Sequence, residues 1–452
     1  MDTIVALATP PGRSALGVVR MSGPDSLAIA RSLIGDSEFQ PKPANVTLRT
    51  IRSLATLESI DHALLTYFET PNSFTGEDLV EISCHGSPII LRQVIDSVLS
   101  LGGRLAGPGE FSLRALANGK LNLSQAEAIR DLINAQTDAA ARQAVRQLRG
   151  ELSNRLKPVK KALLGSIVLL ESAIEFVEDD LPQIQKQEIA EKLGKLASEM
   201  AKLASTFSSG HLLRDGLRVA IVGPPNAGKS TIFNRLLRFD RAIVTDVAGT
   251  TRDTISETVN IDGVPVVLTD TAGIRESANV VESIGLERTK QAMAGADLLL
   301  VVLDGSANLT TDDIELLQLS SETLRIVALN KSDLPTFRNE FIESSNGSLR
   351  VVEVSAKEEV GLRDLRQAII DPFRSFDTSE AGLLITDARH YDLLCRTRNE
   401  LESSCNLLVH GASEELVLIG MHNGLRYLGA ITGETTAEDV LSQIFATFCI
   451  GK

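Results

Sequence analysis

Residues 217–230 read LRVAIVGPPNAGKS, and they decide the fold of the segment around them. The apolar run before Gly223 predicts a buried strand, and STIFNRLLR after Lys229 predicts a helix. Between them, Gly223 and Gly228 let the backbone curl, so that its N–H groups face phosphate oxygens at the positive end of the helix. This is the pattern of a phosphate-binding loop, in which Lys229 reaches the β- and γ-phosphates and Ser230 binds Mg²⁺. A chance glycine loop is the alternative, and the strand and helix on either side argue against it.

Three further motifs follow in the order of a guanine-nucleotide site. Asp270-Thr-Ala-Gly273 comes after VPVVLT, so its aspartate can orient the Mg²⁺ shell and its glycine N–H can meet the γ-phosphate. Asn330-Lys-Ser-Asp333 comes after RIVALN. The Asp333 carboxylate can accept hydrogen bonds from guanine N1–H and the exocyclic amine, a donor pair that adenine lacks. Ser355-Ala-Lys357 follows VVEV and is typical of a loop that closes over the base. Each motif alone is weak, and N-K-x-D by itself is often a strand-end turn, but together they predict a GTPase.

The first switch loop is expected at Gly249-Thr-Thr-Arg-Asp253, where Thr251 is the candidate second hydroxyl ligand of Mg²⁺. Ordering of this loop by the γ-phosphate would couple the nucleotide state to the shape of the protein. Ras-like proteins orient the attacking water with a glutamine after D-x-x-G, but Ile274 stands there. Arg275 and Glu276 are interpreted as solvated loop charges. The residues expected to contact GTP are Asn226, Ala227, Gly228, Lys229, Ser230, Thr231, Thr245, Asp246, Val247, Ala248, Gly249, Thr250, Thr251, Asp270, Thr271, Ala272, Gly273, Asn330, Lys331, Asp333, Ser355, Ala356 and Lys357.

The fold class predicted for the whole chain is multidomain α/β. Strands and helices alternate through residues 216–375 and predict a Ras-like P-loop domain with a mainly parallel sheet. Its strands are predicted at 217–222, 264–269, 298–303, 325–329 and 350–354. Residues 1–120 predict a small α/β domain. Its strands are VALAT, GVVRMSG, HALLTYF and DLVEISCHG, and its helix is PIILRQVIDSVLSLGG.

Glycine and proline nearly vanish after Leu121, and apolar residues recur at helical spacing. The same periodicity returns after Ser375. We therefore expect one helical domain, formed by 121–210 and 376–452, that is interrupted by the P-loop domain. Gly210–Gly216 is predicted to be a linker into the insertion. Ser124 and Glu127 have the spacing of a capping box at the start of a helix.

Composition bounds the function. The net charge of −14 argues against a uniformly basic surface, so RNA binding would depend on local clusters of Lys and Arg. The absence of Trp argues against stacking of bases on an aromatic platform. Four cysteines without a C-x-x-C pair do not suggest zinc or a disulfide framework. No apolar run is long enough to span a bilayer, so a cytoplasmic protein without membrane contact is expected.

The chain resembles the MnmE (TrmE) family of tRNA-modification GTPases over essentially its whole length. The N-terminal and C-terminal blocks are more particular to this family than the nucleotide motifs are. The matching segments are ATPPGRSALGVVRMSG, NSFTGEDLVEISCHG, PGEFSLRALANGKLNLSQAEAI, GPPNAGKS, DVAGTTRD, DTAGIRE, NKSD and the terminal FCIGK.

For GTP hydrolysis, the resemblance implies that Glu282, in VVESIGLER, positions the attacking water. It also implies a K⁺ ion beside the phosphates, bound by the Asn226 side chain and by backbone carbonyls of Thr245, Val247 and Thr250. A monovalent cation can offset developing charge as an arginine finger does, a role worth roughly 10³–10⁵ in rate. In the family, two G domains pair face to face to assemble this cage.

At the N-terminus, the resemblance implies a constitutive homodimer and a site for a tetrahydrofolate derivative of the 5-formyl type. The corresponding contacts are Arg20, Glu81, Lys120 and the terminal Lys452, each of which would otherwise be interpreted as a surface charge. Cys449 is ordinarily interpreted as a buried helix residue. The alternative is a reactive thiol in a glycine-bearing tail, and the family implicates this cysteine in catalysis.

The function implied is a GTPase that modifies carbon 5 of wobble uridine in certain tRNAs, using a folate one-carbon donor and an FAD-dependent partner, MnmG. The group added is aminomethyl or carboxymethylaminomethyl. A regulatory GTPase without chemistry on RNA is the rival interpretation. Arg142, Arg146 and Arg149 share a helical spacing and are ordinarily solvated, with contact to tRNA phosphate as the alternative. The acidic run at 175–180 is interpreted as a helix end or turn without a function.

Overall fold

Two six-stranded sheets carry the α/β parts of the chain. The computed structural model describes residues 2–54, 56–175, 183–239, 255–270, 295–321, 323–338, 349–373, 382–435, 441 and 444–451. The strands are β1 Ile4–Leu7, β2 Leu16–Ser22, β3 Val46–Arg52, β4 Ser59–Phe68, β5 Leu79–His85, β6 Arg104–Leu105, β7 Leu217–Val222, β8 Ile255–Ile261, β9 Val264–Asp270, β10 Leu298–Asp304, β11 Arg325–Asn330 and β12 Arg350–Glu353.

The helices of the described residues pack on these sheets or on one another. They are α1 Ser26–Ile34, α2 Pro88–Ser100, α3 Glu110–Ala117, α4 Leu123–Asn134, α5 Asp138–Leu148, α6 Glu151–Glu175, α7 Gln183–Ala204, α8 Phe207–Asp215, α9 Lys229–Phe239, α10 Thr311–Leu319, α11 Leu362–Ile370, α12 Ala388–Val409 and α13 Glu414–Thr432, with a 3₁₀ turn at Asp371–Phe373. Within the described residues, no helix combines the length and apolarity that crossing a bilayer requires.

The N-terminal sheet has the order β3-β4-β5-β2-β1-β6 and is antiparallel except for the β1–β6 pair. Alternate residues of its strands point toward α1 and α2, where Val19, Ile82 and Val94 are fully buried. On the opposite face, Leu48 and Leu64 pair across β3 and β4 and are 62% and 42% exposed. One face of this sheet therefore forms a core, and the other leaves apolar surface open at β3 and β4.

The P-loop sheet has the order β12-β11-β10-β7-β9-β8, and only β8 is antiparallel to its neighbour. All five strands predicted for this segment are confirmed, which follows from their continuous apolar runs. The sequence analysis does not predict β8, although the sequence contains the turn motif of a hairpin between β8 and β9. Asp262 and Gly263 form the β8–β9 turn with φ of 51° and 89°, the Asp-Gly geometry that favours a two-residue hairpin.

The start of α4 differs from the prediction. Ser124 and Glu127 are buried inside the helix and do not form the capping box. Instead, Asn122 and Gln125 cap each other: the backbone N–H of Gln125 donates to Asn122 Oδ1, and the N–H of Asn122 donates to Gln125 Oε1, both at 3.0 Å. The box therefore lies two residues earlier and uses amide side chains in place of a hydroxyl and a carboxylate.

The prediction of a linker at Gly210–Gly216 is wrong, because α8 occupies Phe207–Asp215. The glycine inside this helix has a packing reason. A Cβ on Gly210 would lie 2.1 Å from the carbonyl oxygen of Ile385. The N–H of Ile385 also donates to Thr206 Oγ1 at 3.0 Å. The segment that enters the P-loop sheet therefore runs directly beside the segment that leaves it.

Arg214, in the last turn of α8, ties these two segments to α4. It lies 2.7 Å from Asp387, which caps α12, 3.2 Å from Asp131 of α4, and 3.8 Å from Asp215. Burial alone would raise the pKa of Asp387, but His390, Arg214 and the N–H of Arg389 together lower that pKa to about 2. The carboxylate is therefore stabilised in its charged form by the folded protein.

α5 ends at Leu148, so the predicted arginine stripe is interrupted. Arg142 and Arg146 lie on this helix, whereas Arg149 lies beyond its end, next to Gly150 with φ of 77°. The acidic run at 175–180 begins at the end of α6, and residues 176–180 fall outside the described residues.

The Asp387 site predicts a pH-dependent contribution to stability. A folded pKa near 2 against an unfolded value near 3.8 contributes about 2 kcal/mol to the free energy of unfolding above pH 5. This contribution is lost as the pH falls through the interval between those two values. Denaturant unfolding of the wild type and of Asp387→Asn should therefore differ most above pH 5, with the difference shrinking by roughly 1 kcal/mol at pH 3.

Asp215→Asn is the matched control, because Asp215 is more exposed and lies farther from Arg214. The pH-dependent part of the difference from the wild type should be smaller for this control than for Asp387→Asn. A pH-independent effect of Asp387→Asn would contradict the assignment.

Candidate functional site

The phosphate-binding loop between β7 and α9 depends on two positions without a side chain. A Cβ on Gly223, where φ is +157°, would lie 2.2 Å from the carbonyl oxygen of Val302 on β10. A Cβ on Gly228, where φ is +99°, would lie 2.1 Å from Asn330 Nδ2. Between them, Asn226 is exposed and takes a left-handed conformation with φ of 62°. The curl inferred from the sequence is therefore present and is fixed by contacts with β10 and the end of β11.

The cationic and hydroxyl groups of the loop lie beside oxygen atoms of the loop itself and of β9. Lys229 is buried, and its ammonium donates to the carbonyls of Gly223 and Pro224 at 2.8 and 2.7 Å. Ser230 Oγ donates to Asp270 Oδ2 at 2.9 Å. Hydroxyl and carboxylate oxygens that lie side by side are suitable ligands for Mg²⁺. The structure thus brings the P-loop and the start of the D-T-A-G motif together.

Asn330 connects the loop to the base-binding segments. Its Nδ2 donates to the carbonyl of Ala227 at 2.8 Å, and its Oδ1 accepts from the N–H of Ala356 at 3.1 Å. The side chain is 3% exposed. One amide therefore fixes the spacing between the phosphate loop and the Ser355-Ala-Lys357 loop.

The carboxylate of Asp333 is positioned to accept hydrogen bonds. The hydroxyl of Ser355 donates to its Oδ1 at 2.6 Å. This hydrogen bond lowers the pKa of Asp333, and the nearby Lys357 and Lys331 act in the same direction. The group is therefore an ionised acceptor near neutral pH, as recognition of the two guanine donors requires.

Two residues that sequence reasoning missed also support the base-binding loops. Arg235 of α9 donates to the carbonyls of Ala356 and Lys357 at 3.0 and 3.2 Å and forms an ion pair with Glu359. Asp304 at the end of β10 accepts from Lys331 Nζ at 2.5 Å. The position of Asp304 after an apolar strand was a usable signal, because ligand-binding residues collect at the carboxyl ends of parallel strands. Arg235 carried no such signal.

Several predicted site residues lie outside the described residues. They are Thr245, Asp246, Val247, Ala248, Gly249, Thr250, Thr251, Thr271, Ala272, Gly273, Glu282 and Lys452.

A second polar site lies on β2 and β5 of the N-terminal sheet. Arg20 and Glu81 face each other across these strands, and Arg20 Nε and Nη2 donate to Glu81 Oε1 at 2.9 and 2.7 Å. Among the described residues, no group donates to the other oxygen, Oε2. The guanidinium lies 5.8 and 5.9 Å from the ring centroids of Phe74 and Phe111. A carboxylate oxygen open to a ligand thus stands beside a cation and two rings.

Lys120 lies in the same domain as this pair. Its Nζ donates to the carbonyl of Pro71 at 2.7 Å, and Gly76 packs against its aliphatic stem. Only the family resemblance assigns Lys120 to the same site as Arg20 and Glu81. In the structure, Lys120 contacts the 70–78 loop, which also carries Phe74.

The C-terminal tail packs against the N-terminal sheet and α3. Ile450 forms a bridge with Pro108, and the Cys449 carbonyl accepts from the N–H of Gly109 at 3.4 Å. The carbonyl of Gly451 lies 3.5 Å from Arg20 Nη1. Cys449 itself is exposed and lies outside any helix, so its interpretation as a buried helix residue is wrong. The tail brings an accessible thiol into the neighbourhood of the Arg20–Glu81 pair.

Comparisons with known proteins match the whole chain. A model described as MnmE helical domain matches residues 123–449, and one described as GTP-binding protein TrmE N-terminus matches residues 3–120. The chain is 42% identical over 457 residues to the tRNA modification GTPase MnmE of Koribacter versatilis, covering 100% of this chain and 99% of that protein. It is 41% identical over 454 residues to the protein of the same name from Aquifex aeolicus, covering 100% of both. The similarity therefore extends well beyond the nucleotide motifs.

The hydrogen-bonding character of Asp333 predicts the base specificity of the nucleotide site. Asp333→Asn replaces an acceptor oxygen with an amide donor, which opposes the guanine donors and suits the C2 carbonyl of xanthine. We expect GTP affinity to fall about 100-fold or more and the affinity for xanthosine triphosphate to rise, as measured by nucleotide titration. Ser332→Ala, one residue away, should leave both affinities unchanged. Equal loss of both nucleotides in Asp333→Asn would contradict a role in base selection.

Proposed function

The chain belongs to the MnmE family of tRNA modification GTPases, and we propose that its GTPase is K⁺-stimulated and serves modification of carbon 5 of the wobble uridine. The group added is aminomethyl or carboxymethylaminomethyl, from a tetrahydrofolate one-carbon donor, with an FAD-dependent MnmG-type partner. One observation carries this proposal. The same chain holds a guanine-nucleotide site and, separately, a polar site at Arg20 and Glu81 that receives the C-terminal tail. A GTPase that only switches partners needs no second site of this kind.

Three domains carry these roles in the proposal. Residues 1–120 bind folate and dimerise, 121–210 with 376–452 form a helical domain, and 216–375 form the inserted GTPase domain. The close approach of Gly210 to Ile385 supports the insertion, because a domain can be inserted where the entering and leaving segments lie side by side.

For hydrolysis, this chain's residues bind the phosphates and hold the metal. Lys229, whose ammonium lies inside the loop against the carbonyls of Gly223 and Pro224, would exchange these for the β- and γ-phosphates of GTP. Ser230 and Asp270, 2.9 Å apart, would hold Mg²⁺, the serine directly and the aspartate through the metal's water shell. Bound Mg²⁺ supplies positive charge that offsets the charge developing on the phosphate oxygens. Thr251 is the proposed second hydroxyl ligand, and Glu282 is proposed to position the water.

K⁺ is proposed to bind beside the same phosphates. Asn226 supports this role, because the left-handed backbone at this position leaves its amide side chain exposed outside the loop rather than in the core. Backbone carbonyls of Thr245, Val247 and Thr250 are proposed to complete the site when two G domains pair. Bound K⁺ would supply the charge that an arginine finger supplies in other GTPases.

Potassium dependence gives a direct test of this part of the proposal. GTP turnover in KCl should exceed turnover in NaCl of equal ionic strength by at least ~10-fold, because the smaller ion does not fill the same oxygen cage. The rate effect of an arginine finger, roughly 10³–10⁵, sets the upper limit of this difference. Asn226→Ala should lose this difference but still bind GTP, and Glu282→Gln should lower kcat in both salts. Equal turnover of the wild type in Na⁺ and K⁺ would exclude the K⁺ site.

The Arg20–Glu81 site has the chemistry that a folate requires. A pterin ring presents N–H donors that Glu81 Oε2 can accept, and the glutamate tail of folate suits cations such as Arg20, Lys120 and Lys452. The half-buried ring of Phe74, 5.8 Å from the guanidinium, adds apolar surface for a flat ligand. We place the 5-formyl-tetrahydrofolate-like ligand here, with Cys449 nearby on the exposed tail.

The homodimer is proposed to form through the N-terminal domain. Leu48 and Leu64 are 62% and 42% exposed on the open face of its sheet, and Val46 and Leu16 are 63% and 60% exposed. Large apolar side chains exposed together on strands are typical of a surface that a partner covers. A second copy of this chain is the occupant that the family resemblance favours.

The modification proposal is tested by mass spectrometry of tRNA nucleosides from cells that lack this protein. We expect carbon 5 of certain wobble uridines to be unmodified, and the wild-type chain to restore the modification. Glu81→Gln should fail to restore it while retaining GTP hydrolysis, because it removes an acceptor at the folate site but leaves the nucleotide site intact.

Glu38→Gln, an exposed acidic residue of the same domain, is the matched control and should restore the modification fully. Unchanged wobble uridines in the cells that lack the protein would favour a purely regulatory GTPase.

A further inference from the structure

The segment from Arg149 through the first turns of α6 carries a high density of positive charge. Residues 149–161 read RGELSNRLKPVKK and contain five basic residues and one acidic residue, in a chain whose net charge is −14. Four of the five, Arg149, Arg155, Lys157 and Lys161, are exposed. The local charge is therefore opposite in sign to that of the protein as a whole.

These four cations have no carboxylate partner among the described residues. Only Lys160 is paired: its Nζ lies 2.8 Å from Glu434 and 2.8 Å from Thr432 Oγ1. Exposed arginines on other helices are instead paired one turn away, as in Arg92–Asp96 and Arg396–Asp392. The cluster on α6 is thus not part of the mixed-sign surface that solvated helices usually present.

The buried side of α6 explains how the cations are displayed. Leu152, Leu156, Val159, Leu163 and Ile167 recur at helical spacing and are at most 1% exposed. Lys157 and Lys161 are four residues apart on the opposite side, about 6 Å along the helix axis. Like charges at this spacing weaken a helix by a few tenths of a kcal/mol, about 0.2–0.5. Helix stability therefore gives no reason for placing these cations together.

A polyanion with regularly repeated charges fits this surface. The cluster contains no aromatic residue for base stacking and no Asn or Gln pair on its exposed face for reading base edges, apart from Asn154. Contacts to phosphate alone position a nucleic acid without reading its sequence. We propose that Arg149, Arg155, Lys157 and Lys161, called here the α6 basic surface, bind the phosphate backbone of the tRNA substrate. This inference rests on the proposed function, because that function supplies tRNA as the ligand.

The α6 basic surface is tested with the full-length protein and an unmodified tRNA transcript that carries uridine at the wobble position. Binding is measured over a series of NaCl concentrations for the wild type and for a variant with Arg149→Gln, Arg155→Gln, Lys157→Gln and Lys161→Gln. Each lost phosphate contact should reduce the slope of log K against log salt by roughly 0.7–0.9, so that four contacts reduce it by about 3. Affinity at 100 mM salt should fall at least ~10-fold.

The matched control changes four exposed cations elsewhere: Arg92→Gln, Lys192→Gln, Lys195→Gln and Lys202→Gln. Both variants have a net charge of −18, that is, −14 minus 4, so a general charge effect would weaken both equally. The control should keep the wild-type slope. GTP turnover should be unchanged in both variants, which shows that they are folded.

Three outcomes would overturn the inference. The first is an unchanged salt slope in the α6 variant while the wild type binds and modifies tRNA, which leaves the proposed function standing. The second is an equal loss of slope in the control variant. The third is that the α6 variant binds tRNA normally but no longer binds the FAD-dependent partner, which would assign the surface to protein binding. Absence of wobble modification in the wild type would instead count against the proposed function itself.

Discussion

The nucleotide site depends on one steric constraint, the close approach of the phosphate loop to β10 and to Asn330. No side chain can be accommodated at Gly223 or Gly228, since a Cβ at either position would lie about 2 Å from Val302 O or Asn330 Nδ2. Because the loop is pressed against its neighbours, the Asn330 amide can hold Ala227 and Ala356 at once. The groups that meet phosphate and the groups that meet the base are therefore fixed relative to each other before a nucleotide arrives. This is preorganisation, which reduces the ordering that binding requires.

The parts of this site that the sequence predicted are those in which a local pattern determines local structure. Continuous apolar strands, glycines at fixed offsets and polar residues at strand ends predict that Lys229, Ser230, Asp270 and Asp333 gather at one edge of the sheet, because the carboxyl ends of parallel strands meet there. The same rule could have predicted the pair of Asp304 with Lys331. The role of Arg235 could not have been predicted, because its partners are backbone carbonyls more than a hundred residues away.

Elsewhere, tertiary contacts override local preference. Gly210 and Gly216 read as a linker, but packing against the Ile385 carbonyl selects a helix with a glycine at the contact. Ser124 and Glu127 have capping-box spacing, yet burial of both residues moves the helix start to Asn122. The environment of Cys449 is set by the docking of the tail on Pro108 and Gly109, and this contact has no signal in the residues around the cysteine. In each case the deciding partner is distant in sequence.

Distant contacts also fix the start of the strand that leads into the phosphate loop. β7, which leads into the phosphate loop, begins at Leu217, and Arg214 three residues earlier is bound to Asp131 and Asp387. β9, which leads into Asp270, packs on the same corner, since a Cβ on Gly216 would lie 2.9 Å from Pro265 O. Removing one partner of a buried ion pair costs roughly 3–5 kcal/mol. The pair of Arg214 with Asp387 therefore holds the start of β7 beside the start of α12 in the folded chain.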